Sequence, residues 1–171
     1  MPKVKSLEDF LIAELKDLYS AEKQIIKALP KMVKAATSEE LKEAFQNHLQ
    51  ETGNQIQRLD KVSKIVGKTL TGKKCVAMEG LLEEGKEIME EDMDPQVRDV
   101  ALICAGQKVE HYEIASYGCA RTYAHLLGMD DAEELLQETL NEEGNANKLL
   151  TEISESLNVE AIEESVDKLN L

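Results

Sequence analysis

Two early segments carry ionisable side chains where a hydrophobic stripe should hold apolar ones. In the first, Glu22 falls between Leu18 and Ile25 at three- to four-residue spacing. In the second, His48 and Glu51 stand three residues apart on one helical face. A buried carboxylate without a partner is costly. Its recurrence at mid-length in several helices suggests that the carboxylates meet around a metal ion.

Two later segments repeat the pattern. Glu143 is central to a stripe formed by Leu136, Leu140 and Leu150, whereas Glu142 lies toward its edge and is interpreted as solvated. The remaining segment carries Glu110 and Glu113, neighbours at i and i+3. His111 lies nearer the centre of that apolar face, so the ligand assignment on this segment stays open.

Carboxylate oxygens with some imidazole form the donor set that iron and manganese favour. The predicted metal ligands, which come from all four segments, are Glu22, His48, Glu51, Glu110, Glu113 and Glu143. His111 and Glu142 remain alternatives to one of them. The competing interpretation is a metal-free polar core, in which His48 is a satisfied core histidine. Tyr19 and Tyr117 are candidate hydrogen-bond donors or radical traps beside the site, but ordinary packing is the favoured interpretation for both.

Composition narrows the class of protein. The 171 residues carry a formal net charge of −14, and no basic run exceeds Lys73-Lys74, which argues against nucleic-acid binding. Three cysteines without C-x-x-C spacing fit free thiols in a reducing cytoplasm and exclude a rubredoxin-type iron site. We find no apolar signal core and no run long enough for a membrane helix.

Helix signals predict one all-α domain over residues 1–171. Long helices are expected at about 6–36, 38–66, 95–127 and 131–156, with Ser6 and Thr37 as caps and Asp94-Pro95 opening the third. A short helix at 76–92 lies in the connection between the two pairs, and a final short helix is expected after Asn158. Four long helices with one long crossover are the ferritin-like arrangement.

Two segments, CVAMEGLLEE (75–84) and QKVEHYEIASYG (107–118), resemble the YciE/YciF family of bacterial ferritin-like proteins. LYSAEKQ, HLQETGNQIQRLD and LLQETLNEE extend the resemblance over nearly the whole chain. It implies a ferritin-like bundle, a cytoplasmic homodimer, an association with stress response and a dinuclear iron site. The family's biochemical activity is poorly defined.

A more distant similarity to rubrerythrins places Glu110-x-x-Glu113 on the paired-glutamate helix. It places Glu22, Glu51 and Glu143 on the single-glutamate positions. The usual Glu-x-x-His is missing, because Asn54 follows Glu51 by three residues and Ala146 follows Glu143. The predicted site is therefore rich in carboxylates, and no built-in module delivers electrons to it.

The leading hypothesis is a carboxylate centre of two iron ions per chain, or of manganese, that reduces O₂ or peroxide while iron is oxidised. Glu110 and Glu51 are the predicted bridging ligands, Glu22 and Glu143 the terminal ones, and Glu113 a movable one. The alternative is a non-enzymatic helical dimer with a degenerate metal site. Iron storage in a cage is weaker, since it requires a large oligomer.

Overall fold

A computed structural model describes the backbone of residues 4–169 and the side chains of residues 4–162. This part of the chain folds into five helices without a strand: α1 (Leu7–Ala35), α2 (Glu39–Ile65), α3 (Val76–Glu90), α4 (Pro95–Leu126) and α5 (Asp130–Leu169). The predicted all-α class and the short helix in the long crossover are confirmed. None of the described helices is long and apolar enough to span a membrane.

The four long helices form a bundle in which α1 packs on α2 and α4, and α5 packs on the same two neighbours. Short loops make α1–α2 and α4–α5 antiparallel pairs. The start of α2 meets the start of α4, because the Asp99 carboxylate accepts hydrogen bonds from the backbone N–H groups of Thr37 (2.8 Å) and Ser38 (2.7 Å). Thus α2 and α4 run in the same direction, as the long crossover of a ferritin-like bundle requires. Helix α3 lies across α1 and α4.

Capping residues mark the ends of the helices, and the observed ends differ from the sequence predictions in two places. Ser6 caps α1 as predicted, its hydroxyl accepting from the Asp9 N–H at 3.0 Å. Ser38, not Thr37, caps α2, and its hydroxyl accepts from the Leu41 N–H at 3.4 Å. No separate helix begins at Asn158, since α5 continues unbroken to Leu169. Gly128 ends α4 with φ of 68°, a left-handed conformation in which glycine costs least.

The apolar core is divided into two clusters along the bundle axis. One centres on Ile25, Leu29, Phe45, Leu102 and Ile153, all buried. The other centres on Leu11, Leu15, Leu59, Tyr117 and Leu136, also buried. The carboxylates singled out by the sequence lie between the two clusters, at mid-length of the bundle.

Candidate metal centre

Each long helix sends at least one ionisable side chain into the layer between the apolar clusters. Glu22 of α1 is fully buried within a stripe of leucines and isoleucine, so the amphipathic face that packs α1 also fixes the depth of its carboxylate. The other buried members are His48 from α2, Glu110 and Glu113 from α4, and Glu143 from α5. The structure therefore brings together five of the six predicted ligands.

Four of these side chains form a compact group. His48, Glu110, Glu113 and Glu143 each offer a donor atom, and the four atoms lie within 4.8 Å of one another. The His48 Nε2 is 3.6 Å from Glu110 Oε1 and 3.9 Å from Glu143 Oε2. Donors bound at about 2.1 Å on opposite sides of an ion stand about 4.2 Å apart. Small side-chain movements would therefore close this group around a cation.

Most donor atoms of the site lack a hydrogen-bond partner among the described residues. They are one oxygen each of Glu22, Glu110 and Glu143, both oxygens of Glu113 and both ring nitrogens of His48. Two carboxyl groups can share a hydrogen bond only when one is protonated, so as carboxylates these oxygens face one another without donors. Buried unpaired charges of one sign are strongly unfavourable, and a bound cation is the usual compensation.

The pKa values of the buried acids reflect this crowding. Burial raises the pKa of Glu22 to about 7, although the Tyr117 hydroxyl, which donates to Glu22 Oε1 at 2.5 Å, opposes the rise. Burial and then the charge of Glu22 raise the pKa of Glu113 well above its ordinary value. Burial and then the charge of Glu113 do the same for Glu143. Without metal, the site therefore retains protons at neutral pH.

The pKa of His48 shifts in the direction opposite to that expected for a buried imidazole. Burial alone lowers its pKa, but the carboxylates of Glu110 and Glu51 outweigh that effect and raise the pKa to about 9. The ring therefore supplies one positive charge to the acidic group when no metal is present. A metal ion bound to the imidazole would displace that proton.

Glu51 stands apart from the compact group. Its side chain is 41% exposed, and its carboxylate lies 3.6 Å from His48 Nδ1 on the solvent side of the ring. Of the alternatives, His111 is exposed on the far face of α4. Glu142 pairs with Arg58, whose guanidinium reaches the two carboxylate oxygens at 2.7 and 2.5 Å. The structure thus brings neither alternative into the group.

A polar support behind Glu143 is a feature that the sequence interpretation did not contain. The Gln55 amide donates to Glu143 Oε1, and also to Glu142 Oε2 at 3.1 Å. Arg58 holds Glu142 in turn and also contacts Glu138 at 2.7 Å. The available signal was spacing, since Arg58 follows Gln55 by three residues and lies on the same buried face of α2.

The two tyrosines singled out by the sequence, Tyr19 and Tyr117, lie in different surroundings. Tyr117 is fully buried and donates to Glu22, whereas the sequence interpretation had favoured ordinary packing for it. Tyr19 is partly exposed, with the Lys23 ammonium 5.4 Å from its ring centroid. Its surroundings are those of a surface aromatic residue.

The fold and the site together define a ferritin-like helical bundle with a buried cluster of carboxylates and one histidine. The chain belongs to the family described as Domain of unknown function (DUF892), which it matches over residues 6–163. It is 49% identical to Protein YciF of Escherichia coli K12 over 152 residues, 88% of this chain and 92% of that protein. The resemblance predicted from sequence is confirmed.

Solved structures of three other proteins have the same fold. The crystal structure of the E. coli stress protein YciF superposes with a TM-score of 0.88 at 48% identity, covering 90% of this chain and 98% of that one. YcfI of Rhodopseudomonas palustris, provisionally described as a structural protein, gives 0.85 at 44% identity, covering 88% and 96%. A protein of Xanthomonas campestris pv. campestris, 19% identical with a TM-score of 0.75 over 94% and 99%, shares the fold.

Proposed function

We propose that the protein binds a dinuclear iron centre, or its manganese counterpart, and couples iron oxidation to reduction of O₂ or peroxide as part of a stress response. The observation that carries this proposal is the compact group of His48, Glu110, Glu113 and Glu143, with donor atoms within 4.8 Å and few hydrogen-bond partners. The description of the E. coli relative as a stress protein supports the physiological setting.

The donor set fits these metals. Five buried side chains offer carboxylate oxygens and one imidazole, which suits iron and manganese better than zinc or copper. Glu110 is the expected bridging ligand, Glu22 and Glu143 the terminal ones, and Glu113 a movable one. The exposed Glu51 would have to swing inward past His48 to act as the second bridge.

The chain's own groups prepare the site for this chemistry. When bound, the metal pair supplies electrons one at a time and polarises oxygen. Gln55 and Tyr117 each hold one oxygen of a ligand, Glu143 and Glu22 respectively, and so point the other oxygen toward the centre. The acids with raised pKa values hold protons in the metal-free site, and metal binding would release these protons. The apolar clusters close the site on both sides along the bundle axis.

The expected setting is a cytoplasmic homodimer that acts without nucleic acid or membrane. Free thiols at Cys75, Cys104 and Cys119 are compatible with a reducing compartment. Light scattering of the purified protein tests the dimer, and a cage-sized mass would instead favour iron storage.

Metal analysis of the purified protein tests the proposal directly. After anaerobic loading with Fe²⁺ and desalting, plasma mass spectrometry should find about two ions per wild-type chain. Glu22→Ala and Glu110→Ala should lose most of them. Glu155→Ala, an exposed acid on α5, is the matched control and should retain wild-type content. Wild-type protein that holds no iron or manganese would overturn the proposal.

The second candidate function is a non-enzymatic structural protein with a polar core. The provisional description of the R. palustris relative and the absence of both Glu-x-x-His motifs favour it. In that case removing one of several mutually repelling acids leaves the protein equally or more stable, with or without metal. Thermal unfolding of Glu110→Ala in EDTA and in Mn²⁺ separates the two candidates.

A further inference from the structure

A cavity of about 260 Å³ opens from solvent between α2, α4 and α5 and ends at the ionisable group. His48, Glu51 and Glu110 line its polar part. It exists because α5 presents the small Ala146 one turn after Glu143, where a larger side chain would fill the space. The cavity therefore joins the buried centre to the surface.

Two almost fully buried ionisable residues, His48 and Glu110, form the inner end of the cavity. His48 is 5% exposed and Glu110 3%, and neither the two ring nitrogens of His48 nor Glu110 Oε2 has a hydrogen-bond partner among the described residues. A small polar head that entered the cavity would lie against the His48 and Glu110 side chains. Such convergence of a few polar groups at the end of a mainly apolar cavity is typical of small-molecule sites.

The rest of the wall is mainly hydrocarbon, apart from the exposed asparagines Asn47 and Asn145. Phe45 and Leu150 are each 3% exposed and form the buried side, while Leu149 is 38% exposed at the rim. An apolar protein cavity of about 150 Å³ is enough to bind benzene. The present cavity is larger and thus has room for a substituted benzene ring or a short branched alkyl group.

The charge of the protein around the cavity limits the charge that a ligand can carry. In the metal-free protein the polar end carries two carboxylates, Glu51 and Glu110, against one positive ring, His48, and the whole chain has a net charge of −14. An anionic ligand would be repelled at both ranges. The chemical class that matches is therefore a neutral molecule with an apolar body and a small oxygen-bearing head.

We propose that this cavity binds organic hydroperoxides and that they, rather than hydrogen peroxide alone, are substrates of the centre. The substrate assignment rests on the proposed function. With the site loaded, two ferrous ions would supply the two electrons needed to break the O–O bond and would become ferric. With two protons, the products are one alcohol and one water.

Binding to metal-free protein tests the cavity separately from the metal centre. Cumyl alcohol, the product of cumene hydroperoxide, serves as an unreactive ligand in calorimetry or ligand-observed NMR. We expect saturable binding to wild type and to Ala146→Ser, and at least about tenfold weaker binding to Ala146→Leu. Leu126→Ala, an exposed leucine at the end of α4, should bind like wild type. No saturable binding to wild type, or equal binding to Ala146→Leu, would overturn the site.

Leu149→Trp provides a second blocking variant, because this rim residue is partly exposed and its replacement should not prevent folding. Urea unfolding verifies that each variant is folded. The iron-loaded proteins are then compared in their consumption of cumene hydroperoxide and of hydrogen peroxide. Both blocking variants should consume cumene hydroperoxide at least about tenfold more slowly than wild type. They should consume hydrogen peroxide at the wild-type rate and keep the wild-type iron content.

The outcomes distinguish the two proposals. Equal losses with both peroxides at unchanged iron content would overturn the organic-hydroperoxide assignment. Wild-type protein that binds cumyl alcohol but retains no iron would overturn the proposed function and the substrate assignment together, while leaving the binding site established.

Discussion

At the residue scale, the main feature is that like-charged groups are assembled where a folded protein normally avoids them. Glu22, Glu113 and Glu143 are each 0% exposed and have raised pKa values. A protein without use for such a group could replace it by leucines at no loss of stability. Their concentration with His48 at one depth is therefore a functional signal, of the kind that perturbed pKa values give at active sites.

The Gln55 amide is predicted to tune metal affinity through Glu143. Because it donates to one oxygen of that carboxylate, Gln55→Ala frees the carboxylate to rotate and should weaken Mn²⁺ binding about 10- to 100-fold. Gln57→Ala, exposed on the same helix, is the control and should leave affinity unchanged. Titration of the metal-free proteins with Mn²⁺ gives both values. An unchanged affinity in Gln55→Ala would show that Glu143 needs no such support.

The Tyr117 hydroxyl is predicted to stabilise the charged form of Glu22. Its donation lowers the pKa of this carboxyl against the larger effect of burial, so Tyr117→Phe should raise that pKa above its present value of about 7. Metal binding releases protons, and it should therefore need higher pH in this variant. Mn²⁺ titrations at pH 6, 7 and 8 measure the shift. An identical pH profile in wild type and variant would contradict it.

At the element scale, helix existence was predictable and helix boundaries less so. The apolar stripes predicted all four long helices, and α1, α2 and α4 agree at both ends within a few residues, because three- to four-residue periodicity is a local property. The hydrogen bond from the Ser38 N–H to Asp99 was not predictable, since Asp99 is 61 residues from Ser38 and reaches the α1–α2 loop only in the folded bundle. Likewise α5 continues beyond Asn158, although the sequence there offers a plausible new cap.

Asp99 is predicted to be important for stability and not for the site. It is 2% exposed and accepts two backbone hydrogen bonds, so Asp99→Ala leaves two donors unpaired and should cost about 2–4 kcal/mol. Mn²⁺ affinity should remain that of wild type, because the residue lies at the end of the bundle. Urea unfolding of Asp99→Ala against the exposed control Asp92→Ala gives the difference. Equal unfolding midpoints would contradict this role.

At the scale of the whole molecule, the site occupies the gap between two apolar clusters, so the same residues that hold the bundle together also enclose the centre. Sequence periodicity placed the five buried candidate ligands at similar depth. It could not place Glu51, because a partly exposed position depends on how α2 is rotated against α5. Nor could it reveal the cavity beside Ala146, which is formed by three helices distant in sequence.

The stability of the metal-free protein is predicted to fall as pH rises from about 5 to 9. The pKa of Glu22 is about 7 when folded, against an ordinary value of 4.5, so its contribution is complete below 4.5 and is lost as pH rises through 7. The contribution of His48 to stability is complete below pH 6.5 and is lost as the pH rises through about 9, the pKa of its ring in the folded protein. The pKa shift of Glu22 alone corresponds to a loss of about 3 kcal/mol in the free energy of unfolding.

Bound metal should reverse this dependence, because divalent ions replace the protons and bind more tightly as pH rises. At pH 8, Mn²⁺ at a hundredfold excess over its dissociation constant should stabilise the protein by about 2.7 kcal/mol. Urea unfolding at pH 5 and 8, in EDTA and in Mn²⁺, measures all four values. Glu22→Gln should flatten the profile in EDTA, since its side chain stays neutral throughout. Stability that increases from pH 5 to 8 in EDTA would show that the buried acids are already paired without metal.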